Sequence, residues 1–170
     1  KTPEDKKNKW KNFFSSNTRK KIAFTWKSRF PSYTFYKRST DFNFFYKLAE
    51  DFPEIDFFSI QKGHHEDEFH NNNNLNNIFQ LSSKIEDFSD SAGILDNVDL
   101  LVSIDSAIPH LSGAMNRPVF MLIPYSADWR WPISGDKTFW YPSMDIIRQT
   151  EIGNWQTVFD QVKEKIKTYT

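Results

Sequence analysis

Val98-Asp99-Leu100-Leu101-Val102-Ser103-Ile104-Asp105-Ser106-Ala107-Ile108-Pro109-His110 is the stretch that decides the fold. Between Asp99 and Asp105 lies a run of strand length that is apolar at Leu100, Leu101, Val102 and Ile104. Such a run, apolar at neighbouring positions instead of alternating, fits a strand buried on both faces. Small residues follow at once, and Ser106 to Asn116 reads as a helix. Pro118 to Ile123 is again apolar and ends at Pro124. Strand, short turn, helix and strand make a βαβ unit, which implies parallel pairing.

The same alternation extends in both directions. Upstream, Ile22 to Trp26, Ile55 to Ile60 and Ile85 to Phe88 read as strands. A helix carrying Phe42, Phe45, Leu48 and Phe52 on one face is expected after Ser39 or Asp41, either of which can cap it; Pro53 stops it. Lys27 to Arg38, with Pro31, reads as an aromatic-rich loop. Gln61 to Gln80, containing the run Asn71 to Asn74, reads mostly as loop, and Ser89 or Asp90 as the cap of a short helix ending at Leu95. Downstream, Ser126 to Pro142 is a Trp-rich loop and Met144 to Ile147 a last strand. Ile152, Trp155, Phe159, Val162, Ile166 and Tyr169 step by three and four, so they form one helix face, started by Gly153 or Asn154. The expected architecture is α/β, a Rossmann-like doubly wound parallel sheet.

Bulk properties narrow the function. The 170 residues suit one domain. Lys and Arg number 22, as do Asp and Glu, so no net positive charge recruits nucleic acid. Cysteine is absent, which excludes disulfides and thiolate metal sites and is compatible with a reducing compartment. No apolar run approaches the roughly 20 residues of a membrane span, and no signal peptide is evident. Trp10, Phe13 and Phe14 suit one face of a short helix. The polar stretch from Lys1 to Lys21 is otherwise expected to be a linker cut from within a longer protein. The 17 Phe beside many Lys and Asn match an AT-rich coding bias and carry no functional weight.

In open α/β sheets ligands bind at the carboxyl ends of the strands. The turn from Asp105 to His110 is the first candidate. Unpaired N–H groups and the dipole of the helix that starts there form a site for phosphate. Ser106 and Ala107 are small enough to admit it, and His110 lies one turn further in. A plainer reading makes Asp105 or Ser106 a helix cap and His110 a core residue. The second candidate is Trp129-Arg130-Trp131, where Arg130 stacked between rings would be presented to a phosphate. Alternatively the Trp residues only pin a long loop. His64-His65-Glu66-Asp67-Glu68-Phe69-His70 invites a metal reading, but no His-Glu-x-x-His pattern occurs, and a solvated loop explains it as well.

These segments also carry a family resemblance. Val98 to Ala107, then His110-Leu111-Ser112-Gly113-Ala114 and Arg117-Pro118-Val119, look like the donor-site signature of heptosyltransferase-like glycosyltransferases. More closely, they resemble the glycosyltransferase domains that follow tetratricopeptide repeats in bacterial proteins. Asp128-Trp129-Arg130-Trp131, Trp140-Tyr141-Pro142-Ser143, Arg148-Gln149, Trp155, Arg38-Ser39 and Ser59-Ile60-Gln61-Lys62 are similar to the same group. The chain departs from it at Trp26-Lys27-Ser28-Arg29, where the family carries a glycine, and at Ser106-Ala107, where heptosyltransferases carry Thr-Gly.

The resemblance implies a GT-B fold, with residues 22–170 as the C-terminal, nucleotide-sugar-binding domain and an N-terminal acceptor domain as its missing partner. It implies a cytoplasmic transferase with a nucleotide-sugar donor as substrate and no metal cofactor. Asp105 belongs to the binding signature. Backbone N–H groups of Ser106 and Ala107 hold phosphate, His110 and Arg130 assist, and Lys27 and Gln61 face the nucleotide or sugar. The catalytic residue is not assigned. A binding module of the same fold without transferase activity is the alternative.

Overall fold

Strand β1 (Lys20–Thr25) is the axis of the molecule: it pairs in parallel with β2 (Ile55–Ser59) on one side and with β4 (Leu100–Ile104) on the other. The computed structural model describes residues 1–28, 38–63, 65–72 and 75–169. With β3 (Ile78–Gln80), β5 (Val119–Ile123) and β6 (Met144–Arg148), the strands form a six-stranded sheet. Its order is β3-β2-β1-β4-β5-β6, parallel throughout. The chain builds outward from β1 to β3, then crosses back to β4, so the order reverses between β1 and β4.

Period-two alternation divides the core. Ile22, Phe24 and Trp26 point to one face and Ala23 to the other; Leu100, Val102 and Ile104 oppose Leu101 in the same way. The first face is covered by α2 (Phe42–Asp51) and α5 (Trp155–Tyr169). There Phe45 stacks on Phe24 at 4.6 Å and meets Phe159 edge-on at 5.0 Å. The second face is covered by α1 (Glu4–Phe14), α3 (Phe88–Leu95) and α4 (Ala107–Ala114). Caps follow simple chemistry. Asp41 accepts the Asn43 N–H at the start of α2, and Asn154 accepts the Thr157 N–H at the start of α5.

Several expectations need correction. The third strand is β3, not 85–88, and it emerges from the stretch read as loop, which also holds a 3-10 helix (Glu66–Asn72). Asn77 explains the misreading. It is buried, and its Nδ2 donates to the carbonyls of Ala49, Phe52 and Ile55, so an apparent loop residue anchors a strand. At 85–88, Ile85 follows a 3-10 turn (Ser82–Lys84) and Asp87 is a helix cap, accepting the N–H groups of Ser89 and Asp90. The cap of α3 is therefore Asp87, and neither Ser89 nor Asp90. Ile152 stands outside α5 and is exposed, because Asn154 starts the helix after it. The 27–38 loop lies mostly outside the described residues, as do His64 and the end of the 71–74 run.

The stretch expected as linker contains a docked helix. Trp10 of α1 is buried and donates its indole N–H to Asp90 at 2.9 Å, while Lys6 and Lys9 pair with the same carboxylate at 2.8 and 2.9 Å. Asp90 has no exposed surface; burial pushes its carboxyl up, but Lys6, Lys9, the Glu86 N–H and Trp10 together hold it well below the usual range. Gly93 makes the contact possible, since a Cβ there would stand 2.4 Å from the Trp10 ring. Among the described residues, no helix is long and apolar enough to cross a membrane.

Candidate functional site

The reversal between β1 and β4 opens a crevice at their carboxyl ends, the usual ligand position in such sheets. Asp105 and Ser106 turn β4 directly into α4, with Ser106 as its extended N-cap residue. Ala107 and Ile108 have no intrahelical acceptor for their N–H groups, and Pro109 brings none. The Ser106 side chain does not cap the helix, and its Oγ is buried with no hydrogen-bond partner.

Cationic groups converge beside this turn. Asp105 is buried, 3.8 Å from His110 Nε2 and 3.8 Å from a terminal nitrogen of Arg130. Arg130 also lies 3.4 Å from Asp128. Burial pushes the Asp105 carboxyl up, but His110 and the charges of Arg130 and Arg38 together hold it below the usual range. The Nε atoms of Arg38 and Arg130 are buried without partners, as is Ser106 Oγ. Asp105 and Asp128 thus share the Arg130 guanidinium, next to the positive end of a helix.

His110 is neither a sealed core residue nor a free one. Its ring stacks on Trp131 at 5.3 Å, meets Tyr141 at 5.8 Å, and its Nδ1 is 3.2 Å from the Tyr141 hydroxyl. Gly113, one turn on, lets Tyr141 approach: a Cβ there would be 2.5 Å from the ring. The expected stacking of Arg130 between two rings does not occur. Trp129 is 82 % exposed, Trp131 is buried against His110, and the Arg130 carbonyl accepts the Trp140 indole N–H. Trp131 and Trp140 anchor the loop that carries the guanidinium.

A cleft of about 630 Å³ extends from the first turn of α4 across the ends of β1 and β2. Lys27, Gln61, Glu66, Phe88, Ser106 and Ala107 are among its walls. Lys27 Nζ is 3.3 Å from Glu68, whose other oxygen takes the buried Trp26 indole N–H. Gln61 lines the cleft, but its amide is committed to backbone. Its Oε1 accepts the N–H groups of Trp26 and Lys27, and its Nε2 donates to the carbonyls of Lys27 and Lys62. It therefore shapes the wall between β1 and β2 rather than reaching for a ligand. Of the expected residues, Lys27, Gln61, Ser106 and Ala107 line the cleft, while His110 and Arg130 gather at Asp105, the residue before Ser106. The resemblance included Arg38, Gly113 and Tyr141 without a role, and Glu68 entered only the metal reading. Their places depend on contacts between distant segments.

No family model matches the chain. Protein FlbA of Caulobacter vibrioides is 29% identical over 84 residues, which is 49% of this chain and 14% of FlbA. Solved structures match over nearly the whole chain. The Escherichia coli ADP-heptose LPS heptosyltransferase II superposes with a TM-score of 0.74 at 18% identity, covering 99% of this chain and 52% of that one. A glycosyl transferase family 9 structure from Veillonella parvula gives 0.72 at 16% identity, with 99% and 52% covered. The E. coli heptosyltransferase WaaC with ADP-2-deoxy-2-fluoro heptose gives 0.67 at 13% identity, with 95% and 48% covered. This chain spans about half the length of the structures it matches. At these identities the likeness establishes architecture: the chain has the α/β, Rossmann-like, doubly wound parallel fold found in GT-B glycosyltransferases.

Proposed function

We propose that this domain binds the diphosphate of a nucleotide-activated sugar at the N-terminus of α4, as the C-terminal donor half of a glycosyltransferase. The observation that carries the reading is the nest around Asp105. Arg38 Nε, Arg130 Nε and Ser106 Oγ are buried without partners, and the N–H groups of Ala107 and Ile108, in the first turn of α4, have no intrahelical acceptor. In transfer, negative charge develops on the leaving diphosphate, and donors fixed in advance stabilise it at little reorganisation cost. Arg130 and the helix N-terminus supply that stabilisation, His110 assists, and no metal is required of the site. Lys27 meets the nucleotide or the sugar at the opposite wall.

The acceptor and the catalytic base belong to an N-terminal domain of the longer, cytoplasmic protein. The tetratricopeptide repeats implied by the sequence resemblance belong to the same reading. A thermal-shift and calorimetric screen of ADP-, UDP-, GDP- and CMP-linked sugars tests it. ADP-linked sugars come first, because one superposable neighbour was solved with ADP-2-deoxy-2-fluoro heptose. A donor that raises the melting temperature and loses affinity on Arg130→Ala supports the assignment. No binding by any of them removes it, and binding without turnover in the longer protein favours a non-catalytic module.

A further inference from the structure

Beside Lys27, in the cleft's far wall, lies a carboxylate that the donor-binding reading does not use. Glu68, on the 3-10 helix after β2, reaches back to the end of β1. Its Oε2 accepts the Trp26 indole N–H at 2.8 Å; its Oε1 lies 3.3 Å from Lys27 Nζ and 3.0 Å from His65 Nδ1. Trp26 is fully buried, so one oxygen of Glu68 is moored to the core and the other is held beside the ammonium. Burial pushes the carboxyl up, but Trp26, Lys27 and His65 together hold it below the usual range, so it is charged at neutral pH. Among the described residues, Glu68 is the one carboxylate paired with Lys27. Lys27 lines the same cleft as Ser106 and Ala107.

We propose that Glu68 sets the affinity of the cleft for its anionic ligand, by storing the Lys27 ammonium in an ion pair that the ligand's phosphate takes over. The proposal rests on the donor-site reading and adds a residue to it. A carboxylate free to swing away would release Lys27 at little cost. This one cannot, because its other oxygen serves a buried indole. An entering phosphate therefore competes with a fixed counter-charge, and Glu68 becomes a positioning residue acting through Lys27. The arrangement keeps a lone ammonium at the cleft mouth from holding any passing anion, and leaves affinity to a ligand that also engages the α4 terminus.

Glu68→Gln is the informative variant, because its amide oxygen still accepts the Trp26 N–H while the charge is gone. Thermal melting should show the fold intact. Calorimetric titration with ADP and with inorganic pyrophosphate should then give binding about two- to fivefold tighter than wild type, the scale of a partly exposed ion pair. Lys27→Met should weaken both probes, and adding Glu68→Gln to Lys27→Met should change nothing further. Tightening that persists in the Lys27→Met background overturns the proposal, because it would reflect general charge. Unchanged or weaker binding in a folded Glu68→Gln overturns it as well. If neither probe binds wild type, the donor-site reading falls and the exchange with it; normal wild-type binding with no coupling between the two residues removes the exchange alone. The pair is also read without any ligand, since Lys27 should be reductively methylated faster in Glu68→Gln.

Discussion

Arg130 and His110 approach the same carboxylate, yet their substitution should have different consequences. Arg130 lies on a loop held by the buried Trp131 and by the Trp140 hydrogen bond to its own carbonyl, so Arg130→Ala leaves the anchors in place. Losing one charge-assisted hydrogen bond costs about 1.5–3 kcal/mol, so nucleotide-sugar affinity should fall about tenfold or more by calorimetry. Arg130→Lys should restore it only in part, because a single ammonium cannot serve Asp105, Asp128 and a phosphate together. His110→Ala should weaken binding too, with a modest loss of stability from the Trp131 and Tyr141 contacts. Unfolding by His110→Ala, with affinity unchanged in Arg130→Ala, would reduce both residues to scaffolding. Gly113→Ala is the complementary test. It improves helix propensity, but its Cβ meets the root of the Tyr141 side chain, and such overpacking costs about 1–3 kcal/mol. A lowered denaturation midpoint together with weaker nucleotide binding is expected, because Tyr141 must leave the His110 ring.

Among the elements, α1 depends most on a single group. Asp90→Ala leaves the Trp10 indole N–H buried and unpaired, a loss of about 1–3 kcal/mol. The pH dependence follows from the same contact. A carboxyl whose folded-state pKa is depressed contributes stability that is fully present above its unfolded value, about 3.9 for Asp, and that is lost as pH falls toward the folded value. Wild-type stability should therefore fall steeply below about pH 4, and Asp90→Ala should show a shallower acid slope in urea titrations. A parallel acid slope in the variant would assign the effect to Glu68, Asp96, Asp105 and Asp145, which are depressed as well.

Elements also differ in how openly the sequence declares them. Leu100–Ile104 and Val119–Ile123 are buried on both faces, so a plain apolar run between Asp or Pro residues sufficed to identify them. Ile78–Gln80 is three residues long, and its anchor is an asparagine whose polarity is spent on three carbonyls. Composition cannot report that. The site divides along the same line. Ser106, Ala107 and His110 were visible because a strand ran straight into a helix. The backbone duties of Gln61, and the approach of Arg38 and Glu68, arise only once separate segments are folded together.

At the scale of the molecule, the cleft opens on a face that carries Phe88, Tyr125, Trp129 and Ile152, all more than half exposed. The isolated domain should fold, bind its nucleotide and transfer no sugar, because on the proposed reading half of the active site is elsewhere. Weak self-association through this apolar face is expected in sedimentation experiments. Robust transferase activity from these 170 residues would contradict the two-domain reading.

The central position of β1 has a consequence for biosynthesis. β1 is made before the other strands of its sheet, yet its pairing with β4 joins Ile22 to Leu100, and α1 waits for Asp90. A ribosome therefore extrudes an apolar segment that stays without its second neighbour until β4 has been made. Non-local pairing of this kind folds slowly and leaves sticky intermediates exposed. Nascent chains ending before β4 should be ready clients for chaperones that capture bare hydrophobic segments, and those released after β5 should remain so until α5 covers Phe24 and Phe45.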